Sequence, residues 1–158
     1  MLDKADQYSR RNCVEIQDVP VQNNDTIQTV KDVGKTLGVD IEEKIIDACH
    51  TLGKKVNTKD TTGIIVKFVR RVDAEALLTK RREKRDFSTR HLNLASDNPI
   101  YVNESLSPTR RRLLGMARQA RRERGYKWLW VRGGKIFLRK EDNGPVTIVQ
   151  CQADLDKM

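Results

Sequence analysis

The sequence predicts an α+β protein: a β-α-β-β-α-β sandwich followed by a small unit of one helix and an antiparallel β-hairpin or meander. Three observations predict it. From Arg11 to Asn103, segments of strand character and of helical spacing follow one another in that order. Ser107-Pro108 then opens a helical run that stops at Gly125. Finally, Gly133-Gly134 sits between two alternating apolar segments, where a two-residue hairpin turn belongs. The expected divisions are a tail or the end of an upstream coiled coil at 1–9, the sandwich domain at 10–103 and a basic C-terminal domain at 104–158.

Residues 1–7 are polar and mixed in charge, and suit a frayed tail or the last turns of a longer helix. Residues 13–17 alternate apolar and polar as a half-buried strand does, with Asp18 and Pro20 expected to end it. Asn24 or Asp25 caps a helix running to about Leu37; Ile27, Val30, Val33 and Leu37 recur at helical spacing, and Gly38 stops it. Residues 45–50 suit strand or helix, and their shortness favours strand. Residues 53–60 form a polar, lysine-containing turn. Residues 62–69, β-branched and nearly all apolar, are the strongest strand. Asp73 begins a helix with Ala74, Leu77 and Leu78 on one face, 86–99 are loop-like, and 100–102 are a short strand. Such an order folds as four antiparallel strands with two helices on one face.

In the second unit, Ser107 is the N-cap and Pro108 the first residue of a helix reaching Arg124. Leu113, Leu114, Met116, Ala117 and Ala120 fall on one face, and Arg111, Arg118 and Arg122 on the opposite one. Folding about Gly133-Gly134 pairs Arg132 with Lys135, Val131 with Ile136, Trp130 with Phe137, Leu129 with Leu138 and Trp128 with Arg139. Alternation gives an aliphatic face (Leu129, Val131, Ile136, Leu138) and an aromatic, basic one (Trp128, Trp130, Phe137, Arg132, Lys135, Arg139). Residues 142–145 turn into a third strand at 146–149, and the last residues add a helical turn.

The charge is localised. Residues 106–140 hold twelve Lys and Arg against one acid, Glu123; their +11 in a chain of net +9 leaves the remainder at −2. Both tryptophans lie in the same stretch. Phosphates need cations and bases need flat faces, so clustered charge beside aromatics suits nucleic acid. No apolar run approaches the roughly 18 residues of a membrane span, and the first residues do not form a signal peptide. Cys13, Cys49 and Cys151 are odd in number, fit no metal spacing, and suit buried thiols in a reducing compartment. His50 and His91 have no ligand neighbours at metal spacing, and nothing assembles a catalytic constellation. The expectation is a protein that is not an enzyme and takes no cofactor or metal.

Tyr8-Ser9-Arg10-Arg11-Asn12 leads into the first strand, and Tyr-Val-Asn-Glu-Ser-Leu-Ser-Pro links the sandwich to the arginine-rich helix. Gly-Tyr-Lys-Trp-Leu-Trp-Val-Arg-Gly-Gly-Lys-Ile follows. This succession resembles the C-terminal half of the first open-reading-frame proteins of LINE-type retrotransposons, of the insect type, a region shared with the baculovirus few-polyhedra protein. The resemblance covers about residues 8–155. It implies an RNA-recognition-motif (RRM) domain and a small C-terminal domain that together bind single-stranded RNA and act as a nucleic-acid chaperone. It also implies homo-oligomerisation through a coiled coil upstream of residue 8. The family's binding arginines map to Arg10, Arg11, Arg110, Arg111 and Arg112.

The residues add further candidates. Arg118, Arg121 and Arg122 extend the helical array, and Lys127, Arg132 and Lys135 extend it onto the hairpin. Arg81 and Arg82 belong to a second basic run, Arg70 and Arg71 follow the strongest strand, and Tyr101 lies near the link. A typical RRM stacks bases on aromatics of its first and third strands. Here the first has none and the third only Phe68, which suits the core. The weight shifts to arginines and to a cationic cleft between the domains.

The expected function is binding of single-stranded RNA, with single-stranded DNA as a second ligand, in a retrotransposon RNA-packaging and chaperone role. The alternative is a viral or host structural or trafficking adaptor of the few-polyhedra type. The expected location is intracellular, in a cytoplasmic ribonucleoprotein with the nucleus as a second site.

Overall fold

The computed structural model describes residues 2–21, 25–52 and 61–158. The turn expected at 53–60 and the Asn24 cap alternative lie outside them. The fold is α+β with two antiparallel sheets, four-stranded and three-stranded. It divides into two compact units, Asn12–Ser105 and Met1–Arg11 with Leu106–Met158.

In the first unit, strands β1 (Cys13–Pro20), β2 (Ile46–Leu52), β3 (Thr61–Phe68) and β4 (Tyr101–Glu104) lie in the order β2-β3-β1-β4. Helices α2 (Thr26–Leu37) and α3 (Arg71–Glu83) complete it, α1 being an N-terminal helix of the other unit. Val14 and Ile16 of β1, Ile64, Val66 and Phe68 of β3, and Val102 of β4 share one core with Val30 and Val33 of α2 and Ala74 and Leu77 of α3. Alternate strand residues from both helices' side of the sheet therefore meet in a single cluster, so both helices cover the same face. Asp25 caps α2 through its side chain on the Gln28 N–H, and Gly38 ends it with φ of 88°.

Several expectations need correction, among them the start of α3, which lies at Arg71 and not at Asp73. Asp18 does not end β1: it takes a φ of 64°, and the register shifts between Ile16 and Val19, so the strand continues to Pro20 through a bulge. The loop expected at 86–99 contains a 3-10 turn, Thr89–Leu92, closed by reciprocal bonds between Ser88 and His91. Cys151 is exposed, whereas Cys13 and Cys49 are half-buried; burial pushes the Cys49 thiol up to about 11.

The second unit comprises α1 (Leu2–Ser9), α4 (Pro108–Arg124), strands β5 (Trp128–Arg132), β6 (Lys135–Arg139) and β7 (Val146–Val149), and α5 (Gln152–Asp156). The β5–β6 register matches the sequence reading pair by pair. Leu113, Ala117 and Ala120 of α4 bury against Ile136 and Leu138 of β6, Val149 and Leu155, with Leu114, Leu129 and Val131 half-buried around them. Fully burying one such aliphatic side chain is worth about 1.5–3 kcal/mol. Met116, expected on this face, is exposed.

A glycine inside α4 invites a test. A Cβ on Gly115 would meet nothing within 4 Å, so no packing explains it. A helix-interior glycine costs about 1 kcal/mol relative to alanine. Gly115→Ala should raise the melting temperature of a unit of this size by about 4–8 °C, read by circular dichroism.

Candidate nucleic-acid interface

The N-terminus of α4 is tied down by side-chain hydrogen bonds from three elements. Pro108 presets the first helical φ, and the Ser107 Oγ accepts from the Arg110 N–H at 3.3 Å. Helix α1 supplies the rest. Gln7 is buried, and its Oε1 accepts from the Ser107 N–H at 2.9 Å. The Ser107 Oγ donates to Asp3 Oδ1, and Arg110 Nε donates to Asp3 Oδ2 at 3.0 Å. Arg110 Nη1 reaches the carbonyl of Gly134 in the β5–β6 turn at 2.6 Å. The hydrogen bond from Ser107, helped by the bond and charge of Arg110, holds the Asp3 carboxyl below the usual carboxylate range. Gly134 is required twice: its φ is 74°, and a Cβ there would lie 2.8 Å from Gln7 Cγ and 2.9 Å from Arg110 Nη1.

Arg110 is therefore a strut joining α1, α4 and the hairpin turn. Its neighbours differ. Arg111 is exposed and donates to the Leu106 carbonyl at 3.3 Å. Arg112, Arg118 and Arg122 are exposed, and among the described residues no hydrogen bond or ion pair engages them. Residues 111, 118 and 122 recur at i, i+7 and i+11, so their side chains share one face over about 16 Å of helix. Arg121 bonds the Tyr126 and Lys127 carbonyls at 3.3 and 2.9 Å, closing the turn after the helix, where Gly125 takes a φ of 69°. Arg124, not singled out from the sequence, donates to the Leu155 and Met158 carbonyls and fastens α5.

The remaining candidates in this unit divide in the same way. Arg10 pairs with Asp6 at 2.8 Å. Arg11 lies 3.8 Å over the ring of Tyr8, itself 67% exposed. Lys127 pairs with Asp142 at 2.7 Å. Arg132 and Lys135 flank the hairpin turn, exposed and, among the described residues, without hydrogen-bond or ion-pair partners.

In the Asn12–Ser105 unit the candidates are mostly neutralised or built in. Arg70 pairs with Asp73 at 3.1 Å and Arg71 with Glu75 at 2.8 Å. Arg81 is half-buried and donates to the Ile100 and Lys84 carbonyls at 3.0 and 2.9 Å; burial lowers its pKa. Arg82 donates to Thr79 Oγ1 at 3.1 Å. Tyr101 is exposed on β4, opposite Gln17 of β1. Phe68 is buried in the core, so the strand aromatic that an RRM would offer faces inward.

Charge follows the same division. The unit containing α4 has sixteen Lys and Arg against seven Asp and Glu, which is the entire net +9; the Asn12–Ser105 unit has fifteen of each and is neutral.

Residues 107–158 match the family model described as baculovirus FP protein domain 2. That is about a third of the chain, and it covers α4, the three-stranded sheet and α5. No curated protein matches the chain. No helix among the described residues is long and apolar enough to cross a membrane, and the described residues contain no group of three or more His, Cys, Asp or Glu able to hold a metal ion.

Proposed function

We propose that the chain is a non-enzymatic, single-stranded nucleic-acid-binding protein whose contact surface is the cationic face of α4. One observation carries this reading: the whole net charge of +9 sits on one unit, and on that unit Arg112, Arg118 and Arg122 project from one helix whose one acid is Glu123, with no ion pair to any of the three among the described residues. A solvated helix face normally mixes both signs. Arginine–phosphate contacts position a backbone but carry no base information, so sequence preference is weak. The strand order β2-β3-β1-β4 favours an RRM-like reading of the neutral unit; its inward Phe68 and paired arginines suit a scaffold more than a base-reading surface. RNA packaging, chaperone activity, self-association upstream of residue 8 and residence in a cytoplasmic or nuclear ribonucleoprotein belong to the same proposal, through the resemblance to retrotransposon proteins.

The match of residues 107–158 to the baculovirus FP domain favours a second reading, a structural or trafficking adaptor whose basic unit binds acidic proteins. Titration of 20-nucleotide single-stranded RNA, single-stranded DNA and duplex at two salt concentrations separates the two. If about five cations each neutralise one phosphate, the log-log salt slope on single strands is about −3.5. Absent or salt-insensitive binding would overturn the first reading in favour of the adaptor.

A further inference from the structure

The outer face of the three-stranded sheet lies outside the core cluster of its unit. Residues 128, 130 and 132 of β5, 135, 137 and 139 of β6, and 146 and 148 of β7 point away from the core, because their neighbours Ile136, Leu138 and Val149 point into it. They line up in cross-strand rows. Trp128 faces Arg139, which faces Val146; Trp130 faces Phe137, which faces Ile148; Arg132 faces Lys135. Strand spacing and rise make this face about 10 Å by 14 Å. Trp128 and Ile148 are each 42% exposed and Val146 is 47% exposed, which is a concentration of open apolar surface that a small unit does not otherwise gain from.

The rings are held flat and oriented. Trp130 and Phe137 stack at 5.4 Å between centroids, with 10° between planes. The Trp128 Nε1 donates to Asp142 Oδ1 at 2.8 Å, fixing the indole edge. Asp142 also accepts from Lys127 at 2.7 Å, so its charge is balanced locally. The Arg139 guanidinium lies 5.9 Å from the Trp128 ring and 6.0 Å from the Trp130 ring. Its Nε is buried without a hydrogen-bond partner among the described residues, and its charge acts on the Asp142 carboxylate as well as on the two rings. Arg132 and Lys135 close the far end.

The geometry points to a nucleobase-stacking platform: this face takes the unpaired bases of a single strand, with Trp128 as the principal ring and Arg132, Lys135 and Arg139 along the backbone. The inference rests on the nucleic-acid reading above and adds a second contact surface, one for the bases instead of the phosphates, because only a strand with exposed base faces can stack. A polyanion with flat apolar groups matches a cation-rimmed aromatic surface in both respects.

Both tryptophans lie on this face, so intrinsic fluorescence reports on it directly. The test titrates full-length protein with a 20-nucleotide uridine RNA and with an abasic oligomer of the same length and charge. The expected result is quenched tryptophan emission with RNA but not with the abasic strand, and tighter binding of RNA. Trp128→Ala should weaken RNA binding by roughly five- to a hundred-fold and leave the abasic affinity unchanged, whereas Trp128→Phe should retain most of it. Trp128 is 42% exposed and outside the core, so its removal should lower the melting temperature by a few degrees without unfolding the unit. Equal affinity for RNA and abasic strand, with Trp128→Ala silent, would overturn the platform while leaving phosphate binding by α4 intact. Failure of the unmutated protein to bind either strand would overturn both. Concentration-dependent dimerisation abolished by Trp128→Ala, without quenching by RNA, would assign the face to a second copy instead.

Discussion

Replacing Arg112, Arg118 and Arg122 together with glutamine should remove most single-stranded RNA affinity and leave the fold untouched. Each side chain is exposed and, among the described residues, makes no hydrogen bond or ion pair, so its loss orphans nothing; surface changes of this kind usually stay within about 0.5 kcal/mol. Binding is another matter. Each neutralised phosphate contributes about 0.7 to the salt slope on a single strand. Three lost contacts should lower the slope by about 2, and at 0.15 M salt reduce affinity on the order of fifty-fold. Fluorescence anisotropy at several salt concentrations, beside a thermal melt, reads both quantities. An unchanged slope with an unchanged melt would show that α4 is not the contact surface.

Arg110→Ala should do the opposite. Arg110 is 22% exposed and its partner Asp3 29%, and the guanidinium ties α1 to α4 and to the Gly134 carbonyl. Hydrogen bonds to charged groups are worth about 1.5–3 kcal/mol each, with part of that lost to solvent at this exposure. A loss of about 2–3 kcal/mol, some 10 °C or more in melting temperature, is expected. Lysine should not restore it, because one ammonium cannot reproduce the planar fork that reaches both acceptors. Asp3→Ala and Arg110→Ala combined should cost less than the sum of the two. Acid should mimic the lesion. The Asp3 carboxyl is held below its ordinary value of 3.8, so its stabilisation is present above that pH and is lost as pH falls through the lower folded value. An Arg110→Ala protein that melts like the unmutated one but has lost RNA binding would make Arg110 a phosphate ligand instead of a strut.

Adjacent arginines thus have opposed roles, and the sequence does not separate them. Arg110, Arg111 and Arg112 are consecutive and chemically identical; two steps of about 100° around the helix send the first toward α1 and the last to solvent. What was legible was local. Ser107-Pro108 and Gly125 bound α4 because capping chemistry lies within four residues of each end. The hairpin register was legible because Gly133-Gly134 fixes the turn and strand alternation has a period of two. What was hidden was distant or compensated. Asp3 and Gln7 meet residues more than ninety positions away, and nothing in a short polar segment announces that. Met116 sits at the edge of the apolar stripe of the wheel, outside the cluster that Leu113, Ala117 and Ala120 form, and stays in water. Arg121 resembled a phosphate ligand, and Arg124 gave no sign of its structural role, because a carbonyl-capping arginine and a free one have the same sequence. Asp18 resembled a strand breaker because a bulge in the left-handed region uses the same residue types as a turn.

The pairing of β1 with β4 has a consequence for how α1 finds its place. Val14 lies opposite Glu104, and the Ser105 N–H donates to the Cys13 carbonyl. The two points where the chain leaves the neutral unit are thereby neighbouring strand ends. An unfolded insert running from Asn12 to Ser105 would have to be closed as one long loop before α1 could meet Ser107. Once β1 and β4 are zipped, the span left to close is only a few residues at each end. Shortening a loop from roughly ninety residues to about ten saves about 2 kcal/mol of closure entropy. The neutral unit thus acts as a staple in the connectivity: by folding, it raises the local concentration of α1 at the helix it clamps.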